Sequence, residues 1–83
     1  MELQKAFEDA VTRSKQLNER PSNEVLLKLY ALYKQATEGD NNNERPGGFD
    51  FRAIAKHDAW AEQNGKSKEV CIQEYIDLVD SLS

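Results

Sequence analysis

The sequence has very few side chains that bind metals or form covalent links: one cysteine, Cys71, and one histidine, His57, among 83 residues. A single cysteine cannot form an intramolecular disulfide, and a structural zinc site requires four nitrogen or sulfur ligands. The sequence also lacks both a run of ~20 apolar residues, which a membrane span requires, and an apolar N-terminal segment typical of a signal peptide. These absences argue against disulfide-stapled domains, zinc fingers and stable membrane insertion, and they predict a cytoplasmic protein.

Positive charge is also scarce, with 11 lysines and arginines against 15 aspartates and glutamates, a net charge of −4. Such a chain repels nucleic acids and anionic surfaces unless its cations are clustered. We therefore expect no nucleic-acid partner, and any anionic ligand requires a local basic patch. The length predicts one domain over residues 1–83.

The apolar residues recur three or four positions apart, which is typical of amphipathic helices. A first helix of about four turns is predicted from Leu3 to Leu17, and Pro21 ends it. Ser22 is a predicted N-cap for a second helix over about 23–38, with an apolar stripe that includes Tyr33 and Thr37.

Residues 39–48 (GDNNNERPGG) consist almost entirely of turn formers and predict a long surface loop. Loops of this length can carry the chain across the end of a bundle. Asp50 is a predicted cap for a third helix that ends at Asn64-Gly65, and Ser67 opens a fourth. No segment alternates with period two, so the fold class is all-α with four helices and no sheet.

Two motifs that suggest chemistry fail on inspection. Residues 40–44 (DNNNE) mimic the start of a calcium loop, but Arg45 replaces the required glycine and Phe51 replaces the final glutamate, so no metal site is expected. Cys71 and His57 are a conceivable nucleophile and base, yet no glycine-rich turn offers an oxyanion site. A free cysteine on an apolar stripe is usually a small hydrophobic residue.

Tyr30, Tyr33 and Lys34 lie at i, i+3 and i+4 on the second predicted helix, while Lys56 follows Arg52 by one turn on the third. A tyrosine ring can stack on a purine, its hydroxyl can donate to a phosphate oxygen, and lysine adds a positive charge. The set therefore suits a nucleotide phosphate. The spacing alone also allows two core tyrosines beside a lysine that extends to solvent.

The sequence closely resembles the acyl-CoA-binding protein family over nearly its whole length. The motifs that carry this resemblance are Tyr30-x-x-Tyr33-Lys34-Gln35-Ala36-Thr37-x-Gly39-Asp40, Arg45-Pro46-Gly47, Asp50-Phe51 and Ala55-Lys56-x-Asp58-Ala59-Trp60. The resemblance implies a four-helix bundle in up-down-down-up order, with an overhand loop between the second and third helices. It also implies non-catalytic, intracellular binding, transport or pool formation of medium- to long-chain acyl-CoA esters, without a cofactor.

The resemblance also implies ligand-binding roles for individual residues. Tyr30, Lys34 and Lys56 match positions that hold the adenosine 3′-phosphate, and Tyr33 matches one beside the adenine. Lys15 and Tyr75 match further ligand-contact positions. His57 departs from the family pattern, which usually has tryptophan there, and Ser14 replaces an aliphatic residue. The widths of the apolar stripes suggest a monomer.

Two other functions remain open from the residues alone. A tyrosine-rich groove on a helical module can accept a partner helix. A thioester-processing enzyme would depend on Cys71 and would release free CoA.

Overall fold

The computed structural model describes residues 2–82, and these form four α-helices and no strand. The helices are α1 (Leu3–Ser14), α2 (Asn23–Glu38), α3 (Phe51–Ala61) and α4 (Lys68–Leu82). The predicted all-α fold class is therefore confirmed. Within this described range, none of the helices has the combination of length and apolar character needed to traverse a bilayer. The terminal positions of the predicted domain, 1 and 83, lie outside the described residues.

The predicted helix starts are set by side chains that accept hydrogen bonds from the first turn. The side chain of Ser22 accepts a hydrogen bond from the backbone N–H three residues further along the chain, at 3.2 Å. The side chains of Asp50 and Ser67 make the same kind of bond, each at 3.1 Å. Such caps satisfy backbone donors that have no partner inside the helix. At the other end of α2, Gly39 has a φ of +82°, which glycine adopts without a steric penalty, and ends the helix as predicted.

The first helix is shorter than predicted, because it ends at Ser14 and not near Leu17. The Ser14 hydroxyl donates to the Val11 carbonyl at 2.6 Å, and the Lys15 N–H bonds to the Thr12 carbonyl at 3.1 Å. The backbone bond from Lys15 spans three residues where an α-helix spans four, so it tightens and closes the last turn, and the Ser14 side chain satisfies the Val11 carbonyl.

The third helix also ends early, at Ala61, before the predicted Asn64-Gly65 stop. The next turns are closed by bonds spanning three residues, from the Gln63 N–H to the Trp60 carbonyl and from the Asn64 N–H to the Ala61 carbonyl. The predicted stop marks the end of these tighter turns, where Gly65 has a φ of +91°.

The core joins α1, α2 and α4. Its buried members are Phe7, Ala10, Leu29, Leu32, Ala36, Cys71, Ile72, Tyr75, Ile76 and Val79. The predicted stripe of α2 was partly wrong, because Tyr33 and Thr37 are exposed and Leu32 and Ala36 are buried. The reason is that α2 packs against both α3 and α4, so its buried surface extends around the helix.

The helix directions follow from side-chain pairs. Phe7 packs edge-on against Tyr75 with ring centroids 5.2 Å apart, and Arg13 pairs with Asp80 at 2.7 Å. Both residue numbers rise together along α1 and α4, so these helices run parallel.

By contrast, α2 is antiparallel to α4. The Tyr33 ring lies 6.5 Å from that of Tyr75, whereas Gln35, further along α2, donates at 3.0 Å to the Lys66 carbonyl just before α4. Together with the parallel pairing of α2 and α3 described below, this arrangement is the predicted up-down-down-up order.

The long connection between α2 and α3 is held by hydrogen bonds at its start. The Gly39 carbonyl accepts from the Trp60 indole at 2.9 Å. Asp40 accepts from Gln35 at 2.8 Å and from the Gly65 N–H at 2.9 Å. These bonds give partners to polar groups whose burial without a hydrogen bond would cost free energy of folding. The loop therefore crosses the bundle end as an ordered segment that fixes α3 beside α2.

Candidate ligand-binding site

Two lysines lie over aromatic rings at the seam between α2 and α3. The Lys56 ammonium of α3 is 5.4 Å from the ring centroid of Tyr30 in α2. The Lys34 ammonium of α2 is 4.8 Å from the ring centroid of Trp60 in α3. The pair of Lys34 and Trp60 lies one turn further along both helices than the pair of Tyr30 and Lys56. The helices α2 and α3 therefore run parallel. The structure thus brings Tyr30, Lys34 and Lys56 to one interface.

Lys34 has a second partner, the Glu38 carboxylate one turn further along α2. The hydrogen bond to Glu38 raises the pKa of Lys34 above its usual value, although desolvation acts in the opposite direction. The ammonium is therefore charged at neutral pH. A ligand phosphate that binds Lys34 must compete with the Glu38 carboxylate.

An open groove of about 470 Å³ lies beside Tyr30 and Lys56. This volume falls within the range of small-molecule sites, ~300–1,000 Å³. The residues that line it are Arg20, Asn23, Leu26, Leu27, Tyr30, Phe51, Arg52, Ala55 and Lys56. Aliphatic and aromatic side chains thus lie next to three cations. This combination suits an amphiphile with an apolar tail and an anionic head group.

A smaller recess of about 250 Å³ is also lined by Tyr30 and Lys56. Its lining adds Trp60, His57 and loop residues that include Asn43. Because Tyr30 and Lys56 line both cavities, a ligand with two chemically different parts can contact these two side chains from either cavity.

The other predicted site residues lie away from this seam. Tyr33 is 41% exposed and packs against Phe7 with ring centroids 5.9 Å apart. Tyr75 is 4% exposed, and its hydroxyl donates to the Ser14 hydroxyl at 3.1 Å. Lys15 is exposed at the end of α1. Tyr33 and Tyr75 thus face α1, and the roles of these three residues in ligand binding stay predictions.

His57 anchors the crossing loop to α3. Its Nε2 atom lies 2.9 Å from the Asn43 carbonyl, and its Nδ1 atom lies 3.4 Å from Asp58. Beside it, Arg45 makes a two-pronged ion pair with Asp58, with both distances 3.0 Å. The imidazole thus bonds to the loop backbone and lines the smaller recess, a role that the sequence alone did not assign.

Cys71 and His57 do not form a nucleophile and base. Cys71 is fully buried in the core, and burial raises the pKa of its thiol. The ring nitrogens of His57 lie next to Asn43 and Asp58. A protonated, inaccessible thiol is a poor nucleophile.

Sequence reasoning missed three contributors to the site: Arg20, Phe51 and Trp60. Phe51 and Trp60 stood in the family motifs, but neither was assigned a role in the site. Arg20 precedes a proline in a turn, and nothing in that pattern indicates that it faces α3. Such long-range neighbours depend on how the helices pack.

Comparison with known proteins gives a consistent picture. A family model described as "Acyl CoA binding protein" matches residues 4–79. Acyl-CoA-binding protein homolog 1 of Caenorhabditis elegans is 47% identical over 77 residues, which are 93% of this chain and 90% of that protein. The crystal structure of Oryza sativa Acyl-CoA-Binding Protein 2 superposes with a TM-score of 0.93 at 44% identity, covering 98% of this chain and 90% of that one.

A further relative is a much longer protein. Enoyl-CoA delta isomerase 2 of Homo sapiens is 54% identical over 80 residues, which are 96% of this chain. The matched part is only 20% of that protein, so this chain spans about a fifth of its length.

Proposed function

This chain belongs to the acyl-CoA-binding protein family, and from that premise we propose that it binds medium- to long-chain acyl-CoA esters without chemistry and maintains or transports an intracellular pool of them. The observation that carries the proposal is the pair of reciprocal cation–aromatic contacts beside the apolar groove. The phosphate of such an ester can then contact the cations, and its thioester-linked tail can contact the adjacent aliphatic and aromatic side chains of the groove.

In the proposed complex, Tyr30, Lys34 and Lys56 hold the 3′-phosphate, and Tyr33 lies beside the adenine. The two ammonium groups come from different helices, so a phosphate between them also ties α2 to α3. Lys15 and Tyr75 complete the proposed set of ligand contacts.

The acyl tail is assigned to the open groove because the core is closely packed by the side chains of α1, α2 and α4. Burying one methylene contributes about 0.8 kcal/mol, so ten would contribute up to ~8 kcal/mol before ordering costs. Affinity should therefore rise with tail length while the groove still covers the added carbons.

The proposal excludes catalysis by this chain. The relative named as an isomerase is about five times longer than the matched segment, so its name describes a larger protein. The buried thiol of Cys71 gives no support to a thioester-processing mechanism. The proposal also includes a cytoplasmic location, a monomeric state and no requirement for a cofactor.

Calorimetry with palmitoyl-CoA, free CoA and palmitate tests this function, since a carrier of the ester needs both halves of the ligand for full affinity. Lys34→Ala should weaken palmitoyl-CoA binding by about 1.5–3 kcal/mol, the range for a hydrogen bond to a charged group. Lys28→Ala is a matched control because Lys28 is exposed on the same helix and lines neither the groove nor the smaller recess.

Equal affinity of the wild-type protein and Lys34→Ala would contradict the assignment of Lys34. Release of free CoA thiol during incubation with palmitoyl-CoA would contradict the absence of catalysis. A lack of heat and of any melting-temperature shift with the ester would contradict the function itself.

A further inference from the structure

Tyr75 is tied to Ser14 by a hydrogen bond whose direction the structure fixes. The Ser14 hydroxyl lies 2.6 Å from the Val11 carbonyl, which has no hydrogen to donate, so the single hydroxyl hydrogen of Ser14 points to that carbonyl. The bond of 3.1 Å between Ser14 and Tyr75 must therefore use the phenolic hydrogen of Tyr75. Because that hydrogen is engaged, the Tyr75 oxygen offers only lone pairs to any other group.

The ring of Tyr75 is held in place as well as its hydroxyl. It is 4% exposed and packs edge-on against Phe7, with ring centroids 5.2 Å apart. The ring of Tyr33, which is 41% exposed, lies 6.5 Å from that of Tyr75. Ser14 is half-buried and Lys15 next to it is exposed, so the Tyr75 hydroxyl lies at the edge of the core. An exposed aromatic ring thus lies beside a fixed hydrogen-bond acceptor.

We propose that Ser14 is a positioning residue that makes the Tyr75 hydroxyl an acceptor toward the ligand, and that this acceptor selects the adenine base through its exocyclic amine. An aliphatic residue at position 14, as in the family pattern, has no oxygen that could accept from Tyr75. It would leave the phenolic hydrogen free to donate to a ligand. Ser14 therefore determines which kind of ligand group Tyr75 binds.

The hydrogen-bonding direction of Tyr75 excludes phosphate and carbonyl oxygens as its partners, since these also offer lone pairs. The exocyclic amine of adenine is a donor and fits the free acceptor. The inference rests on the proposed function at this point, because that function assigns the adenine to the side of Tyr33. The Tyr33 ring is adjacent to that of Tyr75, so the amine is the donor assigned to Tyr75.

Calorimetry with palmitoyl-CoA and with palmitoyl-deamino-CoA tests the proposal. In the second ester hypoxanthine replaces adenine, so a carbonyl oxygen takes the place of the amine. The wild-type protein should bind the adenine ester about tenfold more tightly, because the exchange brings two acceptors face to face. Ser14→Ala should lower this preference to about twofold or less, since the phenolic hydrogen is then free to donate to the carbonyl. Ser14→Thr keeps the hydroxyl and should retain the preference.

Two further variants separate positioning from packing. Ser14→Ala in a Tyr75→Phe background should leave the preference of Tyr75→Phe unchanged, since Ser14 acts only through the phenolic hydroxyl. Thr12→Val is the matched control, because the hydroxyl of Thr12 donates at 3.2 Å to the Glu8 carbonyl on the same helix and touches no aromatic ring of the site. Its loss should leave the preference as it is in the wild-type protein.

Three results would overturn the proposal: equal affinity of the wild-type protein for both esters, a full preference in Ser14→Ala even where both esters bind more weakly, or an effect of Ser14→Ala on the preference that persists in the Tyr75→Phe background. Equal and tight binding of both esters would reject this inference and leave the proposed function standing. Binding of neither ester would reject both, so the two failures are distinguishable.

Discussion

In the proposed complex, Lys34 is a single side chain that the fold already holds in place for an anionic ligand. Its ammonium lies over the Trp60 ring and pairs with Glu38. Both contacts limit the rotamers of a long side chain, so less conformational freedom is lost when a phosphate binds. The carboxylate also has a cost, because it competes with the phosphate and repels it.

Glu38→Gln should therefore strengthen palmitoyl-CoA binding. The gain should be about 0.3–1 kcal/mol, the range for a partly exposed ion pair, and it should shrink as salt is added. Calorimetry at low and at physiological ionic strength measures it. Glu8→Gln, an exposed substitution on α1 with the same change in net charge, is the control and should have a smaller effect. Equal gains in both variants would show that net charge, and not release of Lys34, is responsible.

At the scale of elements, the segment between α2 and α3 determines the site, since it forces these helices to run parallel. Its contacts with α3 combine a hydrogen bond between the His57 ring and the Asn43 carbonyl with the ion pair of Arg45 and Asp58. The hydrogen bonds from Arg45 lower the pKa of Asp58 below its usual value of 3.8. The carboxylate form of Asp58 is thus the one that the folded loop stabilises.

This pKa shift predicts how the stability of the loop depends on pH. Because the folded-state pKa of Asp58 is depressed, its contribution to stability is fully present above the unfolded-state pKa, about 4, and is lost as the pH falls through the lower folded-state value. Asp58→Asn should therefore lower the free energy of unfolding at pH 7 and have progressively less effect as the pH falls below 4. Urea denaturation at a series of pH values measures this difference.

Glu44→Gln is the control, since Glu44 is an exposed carboxylate in the same loop. Its effect on stability should change less with pH than that of Asp58→Asn. A loss of stability in Asp58→Asn that is equal at pH 7 and at strongly acidic pH would show that the ion pair with Arg45 does not act through the charge of Asp58.

For the molecule as a whole, Cys71 is a natural reporter of bundle opening. Its thiol is completely buried in the core, and burial raises its pKa. A thiol reagent should therefore react only after the helices separate, and binding of palmitoyl-CoA should slow the reaction. At a free ligand concentration of 100 times the dissociation constant, the stabilisation is about 2.7 kcal/mol, which corresponds to a roughly hundredfold slower reaction.

Labelling with a thiol-reactive dye, with and without palmitoyl-CoA, measures this protection. Free palmitate at the same concentration is the comparison, since a site that needs both halves of the ester should give it much weaker protection. Rapid labelling of the ligand-free protein would contradict a closed core around α4.

The sequence predicted α2 and the caps of three helices well because these features depend on neighbouring residues. Ser22, Asp50 and Ser67 each cap a helix through a bond to a backbone group three residues away. The exposure of Tyr33 could not be predicted in this way, since it depends on which helices pack against α2. Tyr30, Lys34 and Lys56 were named from their spacing and the family resemblance, whereas Trp60 entered the site through its distance to Lys34 and its place in the smaller recess.

The sequence by itself determined four amphipathic helices, a long polar connection, a net negative charge and a few cations that any anionic ligand would need. These follow from periodicity and composition, which are local properties of the chain. Only the tertiary structure decided that Lys34 lies over Trp60 while Lys56 lies over Tyr30, and that Phe49 and Phe51 stay outside the core. The physical reason is that these relations join residues far apart in the chain, so they depend on the parallel packing of α2 and α3 that the crossing loop imposes.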